Sequence, residues 1–230
     1  MLKVALSAML LTLACTPAVA GERARHPTRP EGCAIPEGDR VEAADLGKTQ
    51  CFPSPDGHKL AVVRGGRVSV DDGVRTTSVG VIDYGRLIWN PASTGFVVAD
   101  NGGSGQTSYF SYVDLGQSPP RRLKTLRWTA AKQYVQRFKC GGPGVYVHSW
   151  FDGWEDAHHV RLVVMEGVHS EGCVHPDVEE IAIGVVGDPT TGRIDRVLTQ
   201  AEARTAWCAP VRQSHGALCS GPPTERVPVR

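Results

Sequence analysis

Short runs of β-branched and aromatic residues recur from residue 50 to residue 198, each closed off by glycine, proline, asparagine or aspartate. This pattern constrains the fold more than any other feature of the 230-residue chain. Glycine takes positive φ at little steric cost, and β-branched or aromatic side chains suit a pleated, half-buried surface. The pattern predicts strands at 59–63 and 67–70 around Gly65-Gly66, then at 78–82 and 86–89. It predicts two more, at 96–99 and 109–113, flanking Asn101-Gly102-Gly103-Ser104-Gly105. Residues 144–165 read as a comparable hairpin bent at Asp152-Gly153. Strands at 180–186 and 194–198 enclose the turn Asp188-Pro189-Thr190-Thr191-Gly192. A brief helix fits residues 130–134, and a strand fits 134–139 equally well. Thr199 and Glu202 have capping-box spacing and open one short helix at 200–207. With 26 Gly and 16 Pro and no long helical period, the fold class is all-β: antiparallel hairpins and meanders with one short C-terminal helix.

The first twenty residues read as an export signal. Lys3 begins them, an eleven-residue apolar run follows, and Ala18-Val19-Ala20 marks the cleavage site. Eleven residues rise about 16 Å as a helix against a hydrocarbon core of about 30 Å, so the run is too short to span. Residues 21–48 are a polar, proline-containing lead-in, residues 49–198 a β-repeat domain, and residues 199–230 the short helix and a tail. No transmembrane segment is expected after signal removal, and the expected location is periplasmic or secreted.

Six cysteines remain beyond the signal: Cys33, Cys51, Cys140, Cys173, Cys208 and Cys219. In an exported chain an even number implies up to three disulfides. They allow fifteen pairings, among which the sequence does not choose; short loops favour Cys33 with Cys51 and Cys208 with Cys219, leaving Cys140 with Cys173. Acidic and basic residues balance once Lys3 is removed, and neither sign forms a long block. Nucleic-acid binding, which wants a basic excess, is not expected.

Two phrases resemble each other. They are Ser54-Pro55-Asp56-Gly57-His58-Lys59-Leu60-Ala61 and Trp89-Asn90-Pro91-Ala92-Ser93-Thr94-Gly95-Phe96-Val97. Both resemble the turn-and-strand signature of TolB-type β-propeller blades, the second with Asn for Ser and Ala for Asp. The resemblance implies stacked four-stranded units. The length after the lead-in holds about three of them, so it implies an incomplete propeller-like meander or a sandwich of related sheets.

The glycine-rich segment at 101–106 lacks the lysine and the following helix of a phosphate loop, so it reads as a bend. Gly103-Ser104-Gly105 is not a nucleophile elbow, since Asn101 stands where the outer glycine belongs. His169, Cys173 and His175 have the residue types of a zinc set and define the metal alternative; no cofactor is otherwise expected. Aromatics cluster around the bends, and Trp150, Trp154, Asp152, Tyr109 and Asn101 are the candidate binding residues. The sequence carries no catalytic signature. It therefore points to a disulfide-stabilised module that binds a protein partner in the cell envelope, one form being an inhibitor or immunity protein. The alternative is a secreted metal-dependent hydrolase using residues 148–175.

Overall fold

A computed structural model of the chain describes residues 26–41, 47–82, 84–100, 109–142, 145–167, 170, 172–175, 180–208 and 218. The signal segment and the loop containing Asn101 lie outside the described residues. Lead-in strand β1 (Arg40–Val41) is followed by β2 (Thr49–Pro53), β3 (Leu60–Arg64), β4 (Arg67–Asp71) and β5 (Thr76–Val81). Next come β6 (Gly85–Trp89), β7 (Gly95–Asp100), β8 (Tyr109–Asp114) and β9 (Arg121–Leu123). Helix α1 (Thr125–Arg137) precedes β10 (Val147–Trp154), β11 (Val160–Glu166), β12 (Ala182–Gly187), β13 (Ile194–Thr199) and helix α2 (Gln200–Trp207).

The strands form three antiparallel sheets, each a meander of consecutive strands: β2-β3-β4-β5, then β6-β7-β8-β9 with β1 added beside β6, then β10-β11-β12-β13. The protein is thus mostly β, as its sequence pattern predicts. Arg64 faces Arg67 across Gly65 and Gly66, whose φ values of 53° and 74° give the two-residue reversal that only glycine makes cheaply. The opening and closing runs around Asn101 pair as β7 and β8, from Gly95↔Asp114 to Asp100↔Tyr109.

Strand alternation explains how the sheets stack. On β7, Phe96 and Val98 pack with Phe52, Val63 and Val68 of the first sheet. Val97, between them, packs with Leu162, Val164 and Ile183 of the third. Phe110 and Tyr112 on β8 also face the third sheet, whereas Val113 faces the first. A side-chain period of two therefore buries both faces of the middle sheet. The side of the third sheet that faces the middle one also receives α1, through Leu126, Ala130 and Tyr134 at four-residue spacing. Residues 134–137 are helical and the strand reading of that stretch is corrected: Tyr134 continues the buried stripe, and its hydroxyl donates to the Ile181 carbonyl at 3.0 Å.

Segments near the chain's two ends cover part of each outer face. Cys51, Leu60 and Val62 point away from the middle sheet and pack against lead-in residue Cys33. The Cys33–Cys51 disulfide fastens that contact. A parallel bridge between Ala34 and Gln50 continues it along β2. At the other end Trp207 and Ala203 of α2, with Leu218, cover Val163, Ala182 and Val186. α2 begins with the expected capping box, in which Thr199 Oγ1 accepts from Glu202 N–H and Glu202 accepts from Thr199 N–H. A second disulfide joins Cys140 to Cys173, and Cys208 is also disulfide-bonded; Cys219 lies outside the described residues. Such bonds persist in oxidising compartments outside the reducing cytoplasm. Among the described residues no helix is long and apolar enough to cross a membrane.

Candidate functional site

The first turns of the three meanders touch in series, and the first two are built alike. In the first, Ser54 N–H donates to Lys59 O and Gly57 N–H to Ser54 O, both at 2.9 Å. In the second, Asn90 N–H donates to Gly95 O at 2.9 Å and Ser93 N–H to Asn90 O at 3.0 Å. The fourth residue of each is left-handed, Gly57 at φ 72° and Ser93 at φ 58°. Ser93 tolerates an unfavourable conformation, and its hydroxyl accepts the Asp56 N–H at 3.1 Å. Asn90 Nδ2 then reaches the third turn, donating to Ala157 O at 3.2 Å. Trp89 Nε1 donates to Phe52 O at 2.9 Å and pins the first two sheets beneath these turns.

The third turn spans Glu155 to His159, whose backbone groups bond at 2.8 Å. The expected bend at Asp152-Gly153 is corrected: both residues belong to β10, where the register shifts between Phe151 and Gly153. An extra residue in one strand re-aims its neighbours. The Asp152 side chain, 2% exposed, turns toward Arg161 Nε at 3.3 Å. Arg161 Cζ lies 5.7 Å from the Trp207 ring centroid. Gly153 makes room for this pair, since a Cβ there would lie 2.5 Å from Arg161 Nη2. Trp150 packs beside Val163 and Trp207. Trp154 meets Tyr112 edge-on at 6.1 Å and Phe151 at 5.8 Å, and Phe151 stacks on Phe110 at 6.2 Å. The indole N–H groups of both tryptophans are buried without an acceptor among the described residues. These rings fill space around the third sheet. Tyr109 opens β8.

Among the described residues the histidines do not converge. His148 lies on β10 opposite Met165, and burial depresses its basicity below the ordinary imidazole range. His158 is exposed. His159 Nδ1 faces Asp156 at 2.8 Å and Nε2 faces Asp195 at 3.3 Å. His175 Nε2 sits 3.1 Å from Glu166 Oε2, against the Phe138 ring at 4.9 Å. The Cys173 sulfur is bonded to Cys140 rather than free as a thiolate, and His169 lies outside the described residues. Among the described residues no group of three or more His, Cys, Asp or Glu is placed to hold a metal ion.

A different surface stands out, one that sequence reasoning missed. With its apolar stripe in the core, α1 turns Lys124, Trp128, Lys132 and, just past its end, Lys139 outward. Trp128 is 62% exposed, and Arg127 Cζ lies 4.4 Å from its ring centroid, holding the indole by cation–π contact. Arg121 is exposed just before the helix. Arg137 pairs with Glu180 at 2.6 Å. Among the described residues Arg121, Lys124, Lys132 and Lys139 make no ion pair. The signal was present in the sequence: no acidic residue occurs between Asp114 and Asp152, while seven lysines and arginines do.

The helix is also built against its own dipole. Lys124 occupies the N-cap with no side-chain hydrogen bond, and the first turn holds no acidic residue. A helix N-terminus favours Ser, Thr, Asp or Asn at the cap and negative charge nearby. α2, in the same chain, satisfies both rules. A lysine at the start of α1 costs local stability.

No family model matches the chain, and no curated protein matches it. Among solved structures it is similar to Kuenenia stuttgartiensis hydrazine synthase at 15% sequence identity and a TM-score of 0.31, covering 72% of this chain and 53% of that one. The chain spans about half the length of that protein, and a likeness this slight carries no argument about chemistry.

Proposed function

We propose that the protein is an exported recognition scaffold that binds another protein of the cell envelope and does not turn over a substrate; one form of this is an inhibitor or immunity protein. The observation that carries the reading is Trp128: a large ring 62% exposed, held in place by Arg127, on a helix locked into the core by Leu126, Ala130 and Tyr134. Tryptophan and arginine dominate the energetics of protein interfaces, and a pre-ordered ring loses little entropy on binding. The serial turns and the stapled ends support a rigid frame for it. The succession of three meanders, each opened by a hydrogen-bonded turn, supports a propeller-like arrangement akin to TolB-type blades. The zinc alternative is weakened by the engagement of Cys173 in a disulfide.

The test is partner capture from envelope extract by chemical cross-linking, with wild type beside Trp128→Ala and Trp150→Ala. The expected result is one protein cross-linked by wild type and by folded Trp150→Ala, and lost with folded Trp128→Ala. A cross-linked set that Trp128→Ala leaves unchanged would overturn this assignment of the surface. Turnover of a substrate by the purified protein would overturn the reading as a whole.

A further inference from the structure

Resting on that reading, we infer that the partner presents an acidic face to α1, with Trp128 as the central anchor and Arg121, Lys124, Lys132 and Lys139 as the charges that steer it. Three observations converge. The outward face of α1 gathers cations that no acid among the described residues neutralises. The helix keeps a lysine at the N-cap, where its dipole disfavours positive charge. The whole chain carries a formal charge of only +1, although the stretch between Asp114 and Asp152 holds seven cations and no acid. The rest of the chain therefore carries a net −6. A local excess of exposed positive charge raises productive encounters with an oppositely charged protein.

The surface suits a protein better than a lipid bilayer. An interfacial helix lays its apolar face on the membrane. Here that face is Leu126, Ala130 and Tyr134, all buried in the core, and only one large apolar side chain, Trp128, points out of the helix. A protein with an acidic rim and a cleft for one indole fits the single ring and its cationic surround.

The test uses poly-L-glutamate as the probe, with affinity measured by calorimetry at low and physiological salt. Binding is expected to weaken about tenfold as salt rises, because exposed charges are screened beyond a Debye length of about 8–10 Å. The triple variant K124E/K132E/K139E is expected to lose about tenfold or more in affinity. The control R64E/R67E, which reverses two exposed cations at another turn, is expected to stay within about twofold. Equal loss in the control, or no binding to wild type, would overturn the inference. Binding to phosphatidylglycerol vesicles in preference to poly-L-glutamate would overturn it in favour of a lipid surface. A dimer dissolved by the triple reversal would overturn it in favour of a second copy of the chain. If Trp128→Ala loses the cross-linked partner while the triple variant keeps it at an unchanged association rate, the acidic partner fails and the recognition scaffold stands.

Discussion

Asp56 donates its backbone N–H to Ser93 Oγ at 3.1 Å, joining two turns 37 residues apart in the chain. The turn at Ser93 is in its own right joined to the third, because Asn90 Nδ2 donates to Ala157 O. Three local reversals, each self-sufficient in sequence, thereby become one edge. The contact depends on a hydroxyl at the position where the first turn has Gly57, so the departure between the two phrases is what supplies the link.

Asn90 is the most connected member of that edge. It is buried, accepts from Thr94 and Gly95 N–H, and donates to Thr94 Oγ1 and Ala157 O. Asn90→Ala strands several of these groups and is expected to cost about 3 kcal/mol, against about 1 kcal/mol for Ser93→Ala. Urea unfolding of the two variants measures both; equal effects would show that the edge does not depend on Asn90.

The third sheet touches α2 at a glycine. A Cβ on Gly184 would lie 2.6 Å from Trp207 Cη2 and 2.8 Å from Ala203 Cβ. Gly184→Ala is expected to destabilise by about 1–3 kcal/mol through overpacking. The same change should cost less in a Trp207→Ala background, where the nearer clash is gone. A double-mutant cycle by thermal unfolding reads the difference.

Acid should loosen the third turn at a defined point. Backbone N–H bonds from His158, with those of His159, hold the Asp156 carboxyl down at about 2 against an ordinary 3.8. A depressed folded value means that the carboxylate form stabilises the fold above the unfolded value, and that this contribution fades as pH falls from about 4 to about 2. NMR titration of the Asp156 carboxyl is expected to show a midpoint near 2; a midpoint near 4 would mean that the turn does not hold the carboxylate.

Lys124→Asp should separate stability from recognition. Aspartate at the N-cap can accept from a first-turn N–H and favours the helix dipole, so the variant is expected to be more stable by about 0.5–1 kcal/mol. It should bind poly-L-glutamate more weakly than wild type. Melting temperature and affinity measured on one preparation check both directions.

The sequence announced much of this frame, and its silences have physical causes. The strands β3, β4, β6, β7 and β8 are legible within a residue or two, because their β-branched runs end at residues that reverse the chain. The α2 capping box and the pairing of Cys33 with Cys51 were legible from short-range spacing. The bulge at Asp152 was not, because Asp-Gly suits a turn and a bulge alike, and only the partner strand decides. α1 was half-read: Leu126, Ala130 and Tyr134 keep helical spacing, but no cap marks the start, and tyrosine, phenylalanine and valine near its end suit strands as well. The cationic face was hidden by arithmetic over the whole chain, where distant acids cancel it. Trp150 and Trp154 flank an Asp-Gly pair that reads as a turn, while Trp128 lies in a stretch with no strand period to frame it.

Cover on the outer faces limits what the pile of sheets offers to another copy. An uncovered sheet face would offer a ready seat for another copy's sheet, and segments near the chain's two ends occupy part of each such seat, one of them fastened there by Cys33–Cys51. Reducing that bond would free the lead-in to lift away. The protein would then be expected to lose its solubility before its strands, clumping through the bared surface of β2 and β3.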